Sequence, residues 1–221
     1  IDRLMIFMPP RHGKSELASK RFPAWCLGRD PKRQIIAASY NSDLANDFGR
    51  NVRNLVAEPE FGQVFPNVSL APDSQAANRM NTNHKGAYVA AGVGTAVTGR
   101  GAHIALIDDP FKDREEADSE RRRDLVWDWY RSTLYTRLMP GGAIVLIQTR
   151  WHEDDLAGRI LEQEAGQWEV LELPAINKVG EPLWPEWYNL EALNRIKATI
   201  GPREWSALYQ QQPQPDEGTF F

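Results

Sequence analysis

Apolar residues along the chain gather in short runs at 4–7, 34–39, 87–91, 104–107, 143–148 and 168–173, each of strand length and bounded by turn-forming residues. Between several of these runs the apolar period changes to three and four. The spacing predicts a helix over 44–56 and another over 119–138, where Leu125, Trp129, Tyr130, Leu134 and Leu138 form a core-facing stripe. Pro140-Gly141-Gly142 is expected to end that helix and turn into the next strand. Further helices are expected over 154–165, 189–199 and 202–212. Strands alternating with helices read as α/β with a mostly parallel central sheet flanked by helices, because parallel neighbours need a long crossover. After residue 173 the pattern turns irregular, marked by Pro174, Pro182, Pro185, Trp184 and Trp187.

Composition narrows the picture modestly. With 221 residues, 42% hydrophobic and 25% charged, the chain is long enough for one large domain with a sizeable core. No apolar run approaches the ~18 residues that span a bilayer, so no membrane partner is expected. Cys26 is the only cysteine, which excludes an internal disulfide and a cysteine-built zinc site and suggests an intracellular setting. Net charge is −4, yet the first 53 residues carry 10 basic and 5 acidic side chains, so a basic face is possible without an overall basic balance. Arg121-Arg122-Arg123, interleaved with Glu120 and Asp124, reads as a solvated helix face. His152-Glu153-Asp154-Asp155 lacks helical ligand spacing and reads as a helix start with Asp near its N-terminus.

The strongest chemical signal is Met8-Pro9-Pro10-Arg11-His12-Gly13-Lys14-Ser15, set between a strand and a helix. It matches the end of a phosphate-binding P-loop, except that Met8 stands where the pattern asks for Gly. A nucleoside triphosphate needs backbone N–H donors at a helix N-terminus, an ammonium reaching the β and γ oxygens, and a hydroxyl on Mg²⁺. The loop, Lys14 and Ser15 supply them. The second half of such a site is an acid ending another buried strand, and Ile107-Asp108-Asp109-Pro110 fits. Asp108 would hold Mg²⁺ opposite Ser15, and Asp109 would orient and deprotonate the attacking water.

These segments resemble the large subunit of the tailed-phage terminase, the motor that packages viral DNA. The resemblance rests on Met8-Pro9-Pro10-Arg11-His12-Gly13-Lys14-Ser15-Glu16, Thr98-Gly99-Arg100-Gly101, Leu106-Ile107-Asp108-Asp109-Pro110, Thr149-Arg150-Trp151-His152-Glu153-Asp154-Asp155-Leu156-Ala157-Gly158 and Leu208-Tyr209-Gln210-Gln211. It implies an ATPase domain of the additional-strand, RecA-like P-loop class, with ATP and Mg²⁺ as ligands. Residues Pro9 to Glu16 would hold the nucleotide, and Thr149, at the tip of strand 143–148, would sense the γ-phosphate. Arg100 would reach into a neighbouring subunit's site, and Arg11 is its competitor within the same subunit.

The resemblance further implies double-stranded DNA, the procapsid portal, the small terminase subunit and a homo-oligomeric ring, normally pentameric, as partners in the host cytoplasm. The organisation it implies is an ATPase core over 1–173, an extension over 174–212, and over 213–221 the start of a linker toward a nuclease domain. In the family the adenine contact lies upstream of the phosphate loop, where this chain has seven residues before Met8, so no residue is assigned to it. The alternatives are a nucleotide-gated assembly module with negligible turnover alone and a helicase-like ATPase core.

Overall fold

Strand residues alternate between two apolar surfaces, and this period of two builds the domain. Met5 and Phe7, Ile36 and Ala38, Ala105 and Ile107, and Ile144 and Leu146 enter one buried cluster. Their neighbours Leu4 and Ile6, Ile35 and Ala37, Ile104 and Leu106, and Val145 and Ile147 belong to a second. Sheets buried on both faces carry continuous apolar runs of this kind. The structure is a computed structural model describing residues 2–97, 99–164 and 166–214. Thr98 and linker residues 215–221, named above, lie outside the described residues.

Eight strands form one sheet in the order β3-β4-β5-β2-β6-β7-β1-β8. They are β1 (Arg3–Phe7), β2 (Gln34–Ser39), β3 (Leu70–Ala76), β4 (Arg79–Thr82), β5 (Ala87–Gly92), β6 (Ala102–Asp108), β7 (Leu138–Gln148) and β8 (Glu169–Glu172). All neighbours from β5 to β8 are parallel; β3 and β4 add antiparallel at the β5 edge. Helices α1 (Phe22–Arg29) and α2 (Ser42–Ala57) pack on one face of the sheet, with the short α3 (Pro59–Val64) beside them. Helices α4 (Arg114–Asp118), α5 (Glu120–Trp129) and α6 (Leu156–Gln163) cover the other. Cys26 is a buried residue of α1.

The strand pair β3 and β4 has no counterpart in the apolar pattern. Strand β3, with Pro72 and Asp73 inside it, alternates poorly and is mostly exposed, and β4 is four residues long with Met80 and Thr82 buried, so only pairing to β5 reveals them. The helix expected over 119–138 is three pieces: α5, a π-helical turn Tyr130–Leu134 and a 3-10 turn Tyr135–Arg137. Ser132 Oγ donates to the Asp128 carbonyl and Thr136 Oγ1 to those of Ser132 and Thr133, a back-bonding that loosens a helical ladder. Leu138 already belongs to β7, paired with Ala102, and Pro140-Gly141-Gly142 lies in the register shift before Ala143 rather than between elements. Within the expected stripe Leu125 is exposed, and Val126 and Trp127 are buried in its place.

The segment after residue 173 has a small core of its own, Ala175, Leu193 and Trp205 with Ile176, Tyr188, Ile196, Ile200 and Tyr209. Its helix α7 (Leu190–Glu204) is capped by Asn189 and broken at Gly201, whose φ is 81°. That break lies between the two helices the sequence predicts. A π-helical turn, Trp205–Tyr209, follows.

Packing of α2 against the β3–β4 turn sets up an opposition of two effects. A Cβ at Gly49 would lie 2.0 Å from the Ala77 carbonyl oxygen. Alanine gains about 1 kcal/mol in helix propensity, whereas relieving such an overlap costs about 1–3 kcal/mol. Gly49→Ala is therefore expected to lower unfolding free energy in urea; a gain in stability would show that the turn yields without cost.

Candidate active site

Three adjacent parallel strands, β1, β7 and β6, end side by side, and hydrogen bonding continues past their ends. Met8 N donates to the Gln148 carbonyl at 3.3 Å, and Asp109 N to that of Ile147 at 2.9 Å. Thr149 N then donates to Asp109 Oδ1 at 3.0 Å, while its hydroxyl donates to the Met8 carbonyl at 3.3 Å. Thr149, the expected sensor, thus stands between the loop that follows β1 and the acid that follows β6. Asp109 adopts φ 45°, a left-handed conformation that Asp tolerates better than most residues. This turn leaves its carboxylate beside Thr149 rather than in line with the strand.

The segment from Met8 to Ser15 curls into an anion cradle. Arg11 (φ 61°) and Gly13 (φ 88°) are left-handed with His12 between them, an alternation that turns successive N–H groups to one side. The first helical bond runs from Leu17 N to the Gly13 carbonyl at 3.1 Å, so the amides of Lys14, Ser15 and Glu16 are free of helix bonding. The chain continues through a π-helical turn, Glu16–Arg21, into α1. Pro9 is buried, and the Pro10 carbonyl accepts from His12 Nδ1 at 2.8 Å. The Glu16 carboxylate is paired with Lys20 and Arg21, so only its backbone amide, free of helix bonding, is left to serve an anion.

Electrostatics tighten the cluster. Lys14 Nζ lies 2.8 Å from Asp109 Oδ2. Burial disfavours the ammonium, but Asp109 and Asp108 outweigh it and hold Lys14 above the ordinary lysine value. Asp108 is buried, and Ser19 Oγ donates to its Oδ2 at 2.5 Å. Burial, reinforced by Asp109 and opposed by Lys14, Ser19 and Ser15, pushes Asp108 up to about 6. Asp108 Oδ1 is buried without a hydrogen-bond partner. One free carboxylate oxygen near a serine hydroxyl is the hard-oxygen set that Mg²⁺ takes together with phosphate and water. The residues therefore fit the ion. Among the described residues no group of three or more His, Cys, Asp or Glu side chains converges.

The two candidate arginines lie in different places. Arg11 lines a cavity of about 780 Å³ with Pro10, Gly13, Lys14, Ser15 and Glu16. Arg100 lines a separate cavity of about 360 Å³, beside Ser42, Asn46 and Thr95.

Several further groups stand at the site without a motif to assign them there. Ser19 stands one helical turn after Ser15, a spacing that would have placed it on the same face. Buried Gln148 precedes Thr149 and has neither amide atom hydrogen-bonded among the described residues. Gln211 accepts from Arg150 N at 3.3 Å, docking the Leu208-Tyr209-Gln210-Gln211 segment on the tip of β7. Trp184, Trp187 and Tyr188 complete the wall of the loop cavity. Asp155 caps α6 through Gly158 N, as expected. The arginine triplet is only partly a solvated face: Arg123 is largely buried and paired with Asp154.

A phosphate loop after one strand, an acid pair after the strand two places away and a polar tip on the strand between them define a P-loop domain of the additional-strand, RecA-like class. Residues 5–208 match the family described as "Terminase large subunit, T4likevirus-type, N-terminal". The chain belongs to that family.

Solved structures agree in fold. The large terminase of bacteriophage HK97 superposes with TM-score 0.62 at 15% identity over 96% of this chain and 47% of that one. The large terminase ATPase domain of Thermus phage P74-26 gives 0.63 at 15% identity over 96% and 88%. A large terminase from a thermophilic bacteriophage, solved with ATP-gamma-S, gives 0.51 at 10% identity over 93% and 46%. The chain thus spans about half of two of these proteins. By sequence it matches no curated protein.

His12 supplies a pH test of the loop. Its ring is buried, stacked on Tyr188 at 4.7 Å and edge-on to Tyr209 at 6.5 Å. Burial, aided by Lys14 and opposed by the Pro10 carbonyl, lowers its pKa from the usual value. Below about pH 6.5 the unfolded chain then binds the proton first, so this contribution to stability falls as pH falls. Relative to His12→Phe, which keeps an aromatic stack and cannot titrate, the wild type is expected to lose stability between pH 7.5 and 5.5 in urea unfolding. Parallel curves for the two proteins would reject the assignment.

Proposed function

We propose that this chain is the ATP-hydrolysing part of a DNA-packaging motor. The observation that carries the reading is the convergence of Lys14, Asp109 and Thr149 at the ends of three neighbouring strands. Lys14 and the amides from Arg11 to Glu16 bind the phosphates of ATP. Ser15 and Asp108 would hold Mg²⁺, which when bound would supply charge neutralisation on the phosphate oxygens. A triphosphate competes for Lys14 and releases the Asp109 carboxylate to orient and deprotonate the attacking water. Thr149, bonded to both loop and acid, transmits the nucleotide state.

The motor reading extends to the surroundings. Double-stranded DNA, the portal, the small terminase subunit and further copies in a ring, five in the usual case, are the proposed partners, acting in the host cytoplasm. Residues 1–173 form the catalytic core and 174–212 an extension that moves with the nucleotide state. Its own small core of Ala175, Leu193 and Trp205 supports that division, and it meets the catalytic core where Gln211 reaches Arg150 and Glu204 pairs with Arg114 of α4 at 2.7 Å. One observation favours a second reading, an assembly module with little turnover alone. Arg100 lies outside its own subunit's loop cavity, and an arginine contributed across an interface is worth about 10³–10⁵ in rate.

Phosphate release from Mg-ATP, followed against protein concentration, tests both. Lys14→Ala is expected to abolish turnover, and Asp109→Asn to keep ATP binding while slowing turnover by about 10²–10⁴. Mixing Lys14→Ala with Arg100→Ala should restore activity, because each supplies what the other lacks. Wild-type turnover by Lys14→Ala would end the phosphate-loop assignment. A dead mixture with flat specific activity would transfer the arginine role to Arg11. Tight ATP binding without turnover, even in forced oligomers, would favour the module.

A further inference from the structure

The cavity above the phosphate loop has two chemically different ends. One is polar, with Lys14, Ser15 and the loop; the other is an aromatic wall of Trp184, Trp187 and Tyr188. Trp184 reaches over the loop, its Cζ3 atom 3.9 Å from where a Gly13 Cβ would stand. Trp184 and Trp187 stack on each other with centroids 5.7 Å apart and planes 27° from parallel. Tyr188 is accounted for by its stack on His12. The two indoles are not so explained: they are 41% and 63% exposed, and each retains surface toward the cavity.

Their presentation is rigid. Trp187 N and Tyr188 N both donate to the Trp184 carbonyl, at 3.1 and 2.8 Å, and Pro185 occupies the second position of that turn, where its fixed φ is favoured. Leu183 N, just before, donates to the Ala175 carbonyl at 2.8 Å. The Tyr188–His12 stack then fixes the turn to the loop itself. Large, wet, preorganised aromatic rings beside an anion cradle suit a ligand with a flat ring at one end and phosphates at the other.

We propose that Trp184 and Trp187 form the platform on which the base of the bound nucleotide stacks. The proposal rests on the nucleotide reading of the loop and supplies the base contact that the sequence left unassigned. Stacking on an aromatic side chain is worth a factor of roughly 5 to 100 per base when the ring is removed.

The test compares ATP with inorganic tripolyphosphate, which has the charge and no base. Binding of each to the full chain is measured by calorimetry for the wild type, Trp187→Ala, Trp184→Ala, Trp187→Phe and Lys14→Ala. The tryptophan-to-alanine variants are expected to bind ATP roughly 5- to 100-fold more weakly and tripolyphosphate as the wild type does, with Trp187→Phe recovering most of the ATP affinity. Unchanged ATP affinity in both alanine variants overturns the platform, as does equal weakening for the two ligands, which would make the wall a support of the loop. If the wild type binds neither ligand, or Lys14→Ala binds both normally, the nucleotide reading itself fails, a result separable from either of those.

Discussion

The ion pair between Lys14 and Asp109 is the interaction on which the site is organised. It joins the loop after β1 to the acid after β6 across the intervening β7, and Thr149 is bonded to both sides of it. A lysine at this depth is costly to leave alone and costly to neutralise. The sheet resolves the conflict by register: three parallel strands of matched ends bring the opposite charges within 2.8 Å. The two apolar faces, the helices covering them and the left-handed turn at Asp109 all serve to keep those strand ends level.

The extension after residue 173 makes sense against that arrangement. It touches the core at the loop through His12, at the β7 tip through Arg150 and at α4 through Arg114. Each is a short segment following a strand of the site. A ring stack, a hydrogen bond and an ion pair placed this way respond together to small displacements, because packed interfaces shift between discrete arrangements rather than deform smoothly.

Much of this was legible in the residues. Short apolar runs marked the six parallel strands, since a strand buried on both faces must be apolar throughout, although the last of them, β8, is exposed at every position; the grouping of Lys14, Ser15, Asp108 and Asp109 was expected from the chemistry that phosphate and Mg²⁺ require. The unread parts share one cause. Strand β3 sits at the sheet edge with most of its side chains toward solvent, and β4, although Met80 enters the core, is only four residues long. Ser19 acts through a hydrogen bond to a partner 89 residues away, and Trp184 and Trp187 announce nothing until the chain folds back over Gly13. Local pattern reports what a residue does to its own element, and these residues act on someone else's.

The pairing of Lys14 with Asp109 also sets a threshold of entry. An exposed lysine in a cradle of amides would collect small anions. Here the cradle's cation already has a carboxylate at contact distance, so an orthophosphate or sulfate gains little by arriving and would strand Asp109 in its place. Only a ligand that brings several charges together, and further holds elsewhere, has the leverage to part the pair. The lysine is guarded by its own acid.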